Sequence, residues 1–171
     1  MKTAFSFVAF GLLSLSFMFL AKPVLHGQGG QNADDKNPMI LRNAAPEDFH
    51  SAPIMPQCFQ GAMERINRET GAAVFLVRTE ASTGCTVPLH WHSSGEQITV
   101  VSGTVMIKTN DGKNFELKEG GYAYMPSRHV HRFSCSGPCV HFVQSDGPYD
   151  IHYVKDDGTE ISLAEALKFS K

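Results

Sequence analysis

The stretch GCTVPLHWHSSGEQITVVSG, residues 84–103, says most about the fold of this 171-residue chain. It contains two short β-rich runs separated by the turn-forming residues Ser-Ser-Gly. Because side chains alternate between the two faces of a strand, His90 and His92 should point to one side and Trp91 to the other. The pattern therefore predicts a strand that presents two imidazoles together, as a metal site requires.

Glu96 adds a carboxylate to this pair. It begins the second run after the turn at Gly95, and Ile98 and Val100 should share its face and line the interior. His131 lies on a later β-rich segment and supplies a third imidazole. Three neutral donors and one anionic donor suit a divalent ion with open coordination positions, and favour iron, manganese or nickel over zinc or copper. The alternative is a hydrogen-bonded polar cluster that holds no ion.

The rest of the chain predicts many short strands, because apolar and β-branched residues alternate between scattered glycines and prolines. The predicted strands are Met39–Arg42, Gly71–Thr79, Val87–His92, Gln97–Ser102, Thr104–Thr109, Asn114–Leu117, Gly121–Met125, His129–Ser134, Val140–Gln144 and Tyr149–Val154. Asp111-Gly112 predicts a two-residue hairpin turn. Ser162 and Glu165 form a capping box for one C-terminal helix. The predicted fold class is all-β.

The N-terminus is typical of an exported protein. Lys2 precedes a mainly apolar run, so residues 1–21 are predicted to be a signal peptide, 22–37 a flexible polar spacer and 38–171 the folded domain. The expected location is periplasmic or secreted. The alternative is an uncleaved N-terminal membrane anchor, because no residue pattern around Ala21 is an ideal cleavage site.

The charge and the cysteines limit the partners and the compartment. A formal net charge of −2 gives no positive field for a polyanion, so nucleic acid is not an expected partner. The four cysteines suit an oxidising compartment. Cys135 and Cys139 flank an apparent three-residue hairpin loop and are the best candidates for a disulfide; in that hairpin His141 would lie opposite Phe133. The alternative is four buried free thiols.

Residues 84–103 resemble the first motif of the cupin family, G-x5-H-x-H-x3-E-x6-G, at every position. Gly120, Pro126 and His131 resemble the second motif, G-x5-P-x-G-x2-H-x3-N, in which Arg128 here replaces the inner glycine and Cys135 the asparagine. The stretch 147–154 also resembles that of small single-domain bacterial cupins without a settled activity. The resemblance implies a double-stranded β-helix, or jelly-roll barrel, with a metal ion held by His90, His92, Glu96 and His131.

Further polar residues are candidates for chemistry and binding. Glu96 would act as a base if it left the metal. His129 is two residues before His131 and should therefore point to the same side of the strand, where it would face the cavity as an acid, a base or an alternative ligand. The candidates for contacts with a substrate at the barrel mouth are Arg128, Gln97, Tyr122 and Tyr124. For each of these residues, a plain surface or packing role is the alternative.

The function favoured by these residues is a metal-dependent oxidoreductase of dioxygenase type that acts on a small, oxygen-rich organic substrate. Two alternatives stay open: a cupin that binds metal or a small ligand without turnover, and metal-assisted isomerisation of a sugar or keto acid. A homodimer is also predicted as an option, because the run 73–77 is apolar on both faces.

Overall fold

The computed structural model describes residues 39–169, in which two antiparallel sheets face each other. The strands are β1 (Gln60–Ile66), β2 (Ala73–Thr79), β3 (Cys85–Trp91), β4 (Glu96–Ser102), β5 (Val105–Thr109), β6 (Asn114–Leu117), β7 (Tyr122–Met125), β8 (His131–Cys135), β9 (Cys139–Ser145), β10 (His152–Val154) and β11 (Glu160–Ile161). One sheet has the order β1-β2-β9-β4-β7 and the other β11-β10-β3-β8-β5-β6. The predicted all-β jelly-roll fold is confirmed.

The predicted signal peptide (1–21) and spacer (22–37) lie outside the described residues, so both stay predictions. Within residues 39–169, no helix has the length and apolar character needed to cross a bilayer.

The space between the sheets is filled by alternate residues of each strand. On β4, Glu96, Ile98 and Val100 are buried, while Gln97 and Thr99 point to the outer face. The buried apolar residues contributed by the other strands include Val77, Val87, Val105, Ile107, Phe133 and Val143. Together they form one core between the sheets.

Most predicted strands are present, and the differences lie at the two ends of the domain. Residues 39–42 form no strand, since β propensity takes effect only where a neighbouring strand offers a partner. The sequence analysis missed β1, whose QGAMERI sequence lacks clean alternation; pairing with β2 defines it. The last predicted strand, 149–154, is shortened to β10. A hairpin at Asp111-Gly112 is confirmed and joins β5 to β6, but its loop is longer than the predicted two residues, because Lys108 pairs with Asn114 and the Thr109 N–H donates to the Lys113 carbonyl.

The cysteines form two disulfides, Cys58–Cys85 and Cys135–Cys139. The second bond confirms the predicted pair, but the predicted hairpin is wrong. Strands β8 and β9 belong to different sheets, so the bond links the two sheets, and the register partners of His141 are Val77 and Val100. The connection between β8 and β9 therefore crosses the barrel instead of extending one sheet.

Two glycines of the first motif hold the chain close to this disulfide. Gly84 and Gly103 have φ of +82° and +81°. A Cβ at Gly84 would lie 2.3 Å from the Cys135 carbonyl oxygen, and one at Gly103 would lie 2.4 Å from the Pro138 carbonyl oxygen. Both positions therefore require glycine for backbone conformation and for space.

The C-terminal helix is confirmed but short. Helix α1 spans Leu163–Ala166, and the Ser162 side chain accepts a hydrogen bond from the Glu165 N–H, as the capping box predicts. A 3-10 turn, Leu167–Phe169, follows it. Ala166 is buried, so the helix covers part of the barrel wall.

Strand β2 carries apolar residues on both faces. Phe75 lines the interior, whereas Leu76 is paired in register with Phe142 and points outward with it. Such a face is compatible with a second copy of the chain. The homodimer stays a prediction.

Candidate metal centre

Four side chains from three regions of the barrel converge in the interior. His90 lies on β3, His92 directly follows that strand, Glu96 begins β4 and His131 begins β8 opposite His90. All four are buried, and one potential ligand atom of each lies within 4.8 Å of the others. The structure thus brings the predicted ligands together.

A bulge in β3 gives His90 its direction. Val87 pairs with Phe133 and His90 with His131, so β3 uses three residue steps where β8 uses two. The extra residue falls at Pro88-Leu89, and proline, which lacks an N–H, is tolerated in a strand at such a bulge. The bulge changes the parity of β3, so that both Val87 and His90 face the interior.

Backbone carbonyls fix the orientation of the three imidazoles. Each ring contacts a carbonyl oxygen through Nδ1, which makes Nδ1 the protonated nitrogen and directs Nε2 to the centre. The acceptors are Pro88 for His90, Asp150 for His92 and His129 for His131. This is the arrangement by which proteins commonly hold a metal-binding histidine.

The atoms at the centre lack hydrogen-bond partners. Oε2 of Glu96 lies 3.4 Å from Nε2 of His92 and 3.4 Å from Nε2 of His131. Among residues 39–169, all three of these buried atoms are without a hydrogen bond. Buried polar atoms are rarely left unsatisfied, and a divalent cation would satisfy this set. Two donors about 2.1 Å from one ion can be about 4.2 Å apart, so small side-chain rotations bring the set together.

The electrostatics of the centre favour an ionised carboxylate at Glu96. Burial opposes the charge on Glu96, but the imidazoles of His131 and His92 outweigh it and hold the pKa of Glu96 well below its usual range. Burial, with the neighbouring histidines, lowers the pKa of His90 well below its usual value. Burial also acts to lower the pKa of His92, yet Glu96 and the Asp150 carbonyl raise it overall. Glu96 is thus the anionic donor of the set.

The centre opens onto a cavity of about 540 Å³. His90 and Glu96 form one part of its wall. Most of the remaining wall is apolar and comes from both sheets and from the segment tied down by the Cys58–Cys85 bond: Met55, Phe59, Phe75, Val77, Val87, Ile98, Phe133 and Val143. A cavity of this size and lining accommodates a small organic molecule.

Tyr149 and His141 are two of the further polar side chains that line this cavity, together with Arg42, Asp48, His50, Ser51 and Gln60. The half-buried Tyr149 ring lies 5.1 Å from the His92 ring, and burial together with the Glu96 carboxylate raises the pKa of Tyr149 well above its usual value. His141 lies within 4.8 Å of the Phe133 ring, and burial lowers the pKa of His141 to about 4. Sequence reasoning missed Tyr149, which follows β9 in a loop where strand parity gives no direction. The parity of β9 identifies His141, because Cys139, His141 and Val143 alternate inward.

His129 does not face the cavity, so that expectation is wrong. Strand β8 begins only at His131, and the turn before it breaks the alternation of faces assumed for His129. Its side chain is exposed and lines a separate surface depression beside Arg128 and Val130. Its backbone carbonyl contributes instead, because it holds the His131 ring.

The four residues predicted to contact a substrate also lie outside this cavity. Gln97 alternates with Glu96 and points outward, where its side-chain amide donates to Asp146 and accepts from the Tyr122 hydroxyl. Tyr124 pairs with Gln97 in register and shares that outer face. Arg128 is exposed, with its guanidinium 4.7 Å above the Trp91 ring.

Arg128 also accounts for one departure from the second motif. It takes φ of +62°, the left-handed conformation that glycine would have supplied, and its N–H donates to the His92 carbonyl. The replacement of glycine by arginine therefore leaves the turn in place, and the stacking of Arg128 on Trp91 favours this otherwise strained conformation.

Comparison with known proteins agrees with this geometry. The family described as the Cupin domain matches residues 77–143. The DNA damage-repair/toleration protein DRT102 of Arabidopsis thaliana is 29% identical over 114 residues, 66% of this chain and 34% of that protein. This chain thus spans about a third of that relative's length.

Solved structures share the fold at low identity. An acetylacetone dioxygenase from Acinetobacter johnsonii superposes with a TM-score of 0.58 and 13% identity, over 77% of this chain and 91% of that one. The polyketide cyclase RemF from Streptomyces resistomycificus superposes with a TM-score of 0.51 and 17% identity, over 68% and 87%. The two-sheet barrel, the motif residues and the family match agree that this chain has the cupin fold, and residues 77–143 match the Cupin domain.

Proposed function

We propose that this protein is an exported, metal-dependent oxidoreductase of dioxygenase type that acts on a small, oxygen-rich organic molecule. One observation carries the proposal: in a three-histidine, one-glutamate set beside a cavity of about 540 Å³, Nε2 of His92, Nε2 of His131 and Oε2 of Glu96 are buried without hydrogen-bond partners in the described part of the chain. His90, His92, Glu96 and His131 would hold the ion. Bound iron, manganese or nickel would supply Lewis acidity and redox chemistry at this place.

The side chains around the centre have separate tasks. The apolar wall binds the body of the substrate and excludes water, which strengthens every electrostatic interaction inside. The raised pKa of Tyr149 keeps its hydroxyl protonated, so this group donates a hydrogen bond to an oxygen atom of the substrate. Glu96, the anionic ligand of the set, would accept a proton from an enolisable substrate only on leaving the metal, because its lowered pKa makes it a weak base in place.

Two findings support the class of substrate and the location. The acetylacetone dioxygenase that shares this fold is named for a small diketone, which makes diketones the first compounds to assay. The two disulfides support the exported location, because such bonds persist in oxidising compartments.

The test is metal content and oxygen consumption of the protein purified without metal-chelating resin. Elemental mass spectrometry should find near-stoichiometric iron, manganese or nickel that disappears in the His90→Ala/His92→Ala double variant. The matched control is His129→Ala, which removes an imidazole from outside the cavity and should keep the metal. The loaded protein should consume oxygen with acetylacetone, a catechol or a flavonol.

Three results would distinguish a metal-dependent enzyme from a protein without a metal centre and from a metal-binding protein without turnover. Equal metal content in the wild type and the double variant, or none after reconstitution, contradicts the metal centre. Stoichiometric metal without turnover of any of these compounds contradicts the enzyme and leaves the alternative of a binding protein.

A further inference from the structure

His141 is a buried polar side chain in the cavity that the metal centre does not use. It is 2% exposed and lies on β9, where Ser145, Val143 and His141 are successive inward-facing residues. Ser145 pairs with Glu96. At about 3.3 Å per residue, the backbone of His141 is therefore ~13 Å along the barrel from the level of Glu96. Glu96 and His141 therefore present polar groups at two different levels of the cavity.

One contact of the ring favours one tautomer. Nδ1 of His141 lies 3.7 Å from Sγ of Cys139, its one hydrogen-bonding contact among residues 39–169. That sulfur belongs to a disulfide and carries no hydrogen, so only a protonated Nδ1 can make this contact. Nε2 is then left with a lone pair. The lowered pKa keeps the ring neutral near pH 7, which preserves this acceptor.

Aromatic rings surround His141 and line the route to the metal centre. The Phe133 ring lies 4.8 Å from the His141 ring, and the Phe59 ring meets it edge-on at 6.2 Å. Phe75 packs against Tyr149 at 5.4 Å nearer the centre. Such walls favour a flat, ring-bearing body between the two polar levels.

We infer that His141 is a second recognition point and that the substrate is a ring-bearing diketone or enol with a hydroxyl group at its far end. The oxygen pair of this molecule faces the metal centre, the ring packs between the phenylalanines, and the distal O–H donates to Nε2 of His141. The inference rests on the proposed function, which places the oxygen pair at the centre. His141 adds the requirement that the far end of the substrate carries a hydrogen-bond donor, because Nε2 in this tautomer has a lone pair and no hydrogen.

The test compares two probes that differ in one hydroxyl group, benzoylacetone and its para-hydroxy analogue. Calorimetry with the metal-loaded full chain should show that the hydroxylated probe binds about 10-fold more tightly, as one buried hydrogen bond allows. His141→Leu should abolish this preference, and His141→Gln, which keeps an acceptor, should restore part of it. Gln144→Leu, a polar-to-leucine change on the outer face of the same strand, should leave the preference unchanged.

The results separate this inference from the proposed function. Equal affinity of the two probes in the wild type, failure of either to bind, or the same preference in His141→Leu would overturn the inference. Metal content and oxygen consumption with acetylacetone report on the proposed function independently. A preference that depends on His141 in a protein that turns nothing over would support the recognition point and contradict the enzyme.

Discussion

The two faces of β4 show how one strand separates a site from a surface. Glu96 and Gln97 are neighbours, yet Glu96 is 5% exposed beside three histidines, whereas Gln97 bonds to Asp146 and Tyr122 on the outer face. The same division applies to other residue types: Tyr149 and His141 line the cavity, while Tyr122 is 56% exposed. In this barrel, side-chain direction decides whether a polar residue contributes to the site.

The largest expected difference between the faces concerns metal affinity. Glu96→Gln removes the one anionic ligand and should weaken metal binding by about 1000-fold, or ~4 kcal/mol, the size of effect seen when one partner of a buried charge interaction is removed. Gln97→Ala should change the affinity by less than about 3-fold. Competition with a chromophoric chelator measures both values. Similar losses of metal affinity in the two variants would contradict the conclusion that only the inward face of β4 contributes to the site.

The next difference concerns stability in acid. Burial lowers the pKa of His141 from 6.5 to about 4 in the folded chain. Between these values the unfolded chain binds more protons, so the free energy of unfolding falls as pH decreases from about 6.5 to about 4, by ~3 kcal/mol from this residue.

Urea unfolding of the metal-free protein near pH 7 and pH 4.5 measures this loss. His141→Leu should remove up to that amount of pH dependence, while His129→Leu, on the outside, should leave the slope unchanged. The same acid destabilisation in all three proteins would show that buried His141 does not titrate as its surroundings indicate.

The smallest expected difference concerns the tyrosines. Tyr149→Phe should lower kcat about 10-fold with the metal content unchanged, because the substrate loses a hydroxyl donor near Glu96. Tyr122→Phe should have no effect, since its hydroxyl bonds to Gln97 on the outer face. Oxygen-consumption kinetics with the best diketone distinguish them. An equal effect of the two changes would remove Tyr149 from the proposed mechanism.

The sequence predicts the barrel and the convergence of His90, His92, Glu96 and His131, because motif spacing and strand parity are local properties. It fails where direction depends on long-range structure. The parity assumed for His129 ignores the turn before β8, and the apparent hairpin at Cys135–Cys139 is a crossing between sheets. Gln97 is a different kind of error, since its alternation with Glu96 already points it outward.

The bulge at Pro88-Leu89 divides β3 into two halves that are out of phase. In the first half the inward residues sit at odd positions, Cys85 and Val87, and in the second at even positions, His90 and His92. The number of residues between Gly84 and His90 in the motif, five, therefore matters for the direction of the imidazoles as well as the identity of those residues. A regular strand of the same length without the bulge would keep every ligand in its sequence and an intact core, yet it would turn both imidazoles to the opposite side of the sheet.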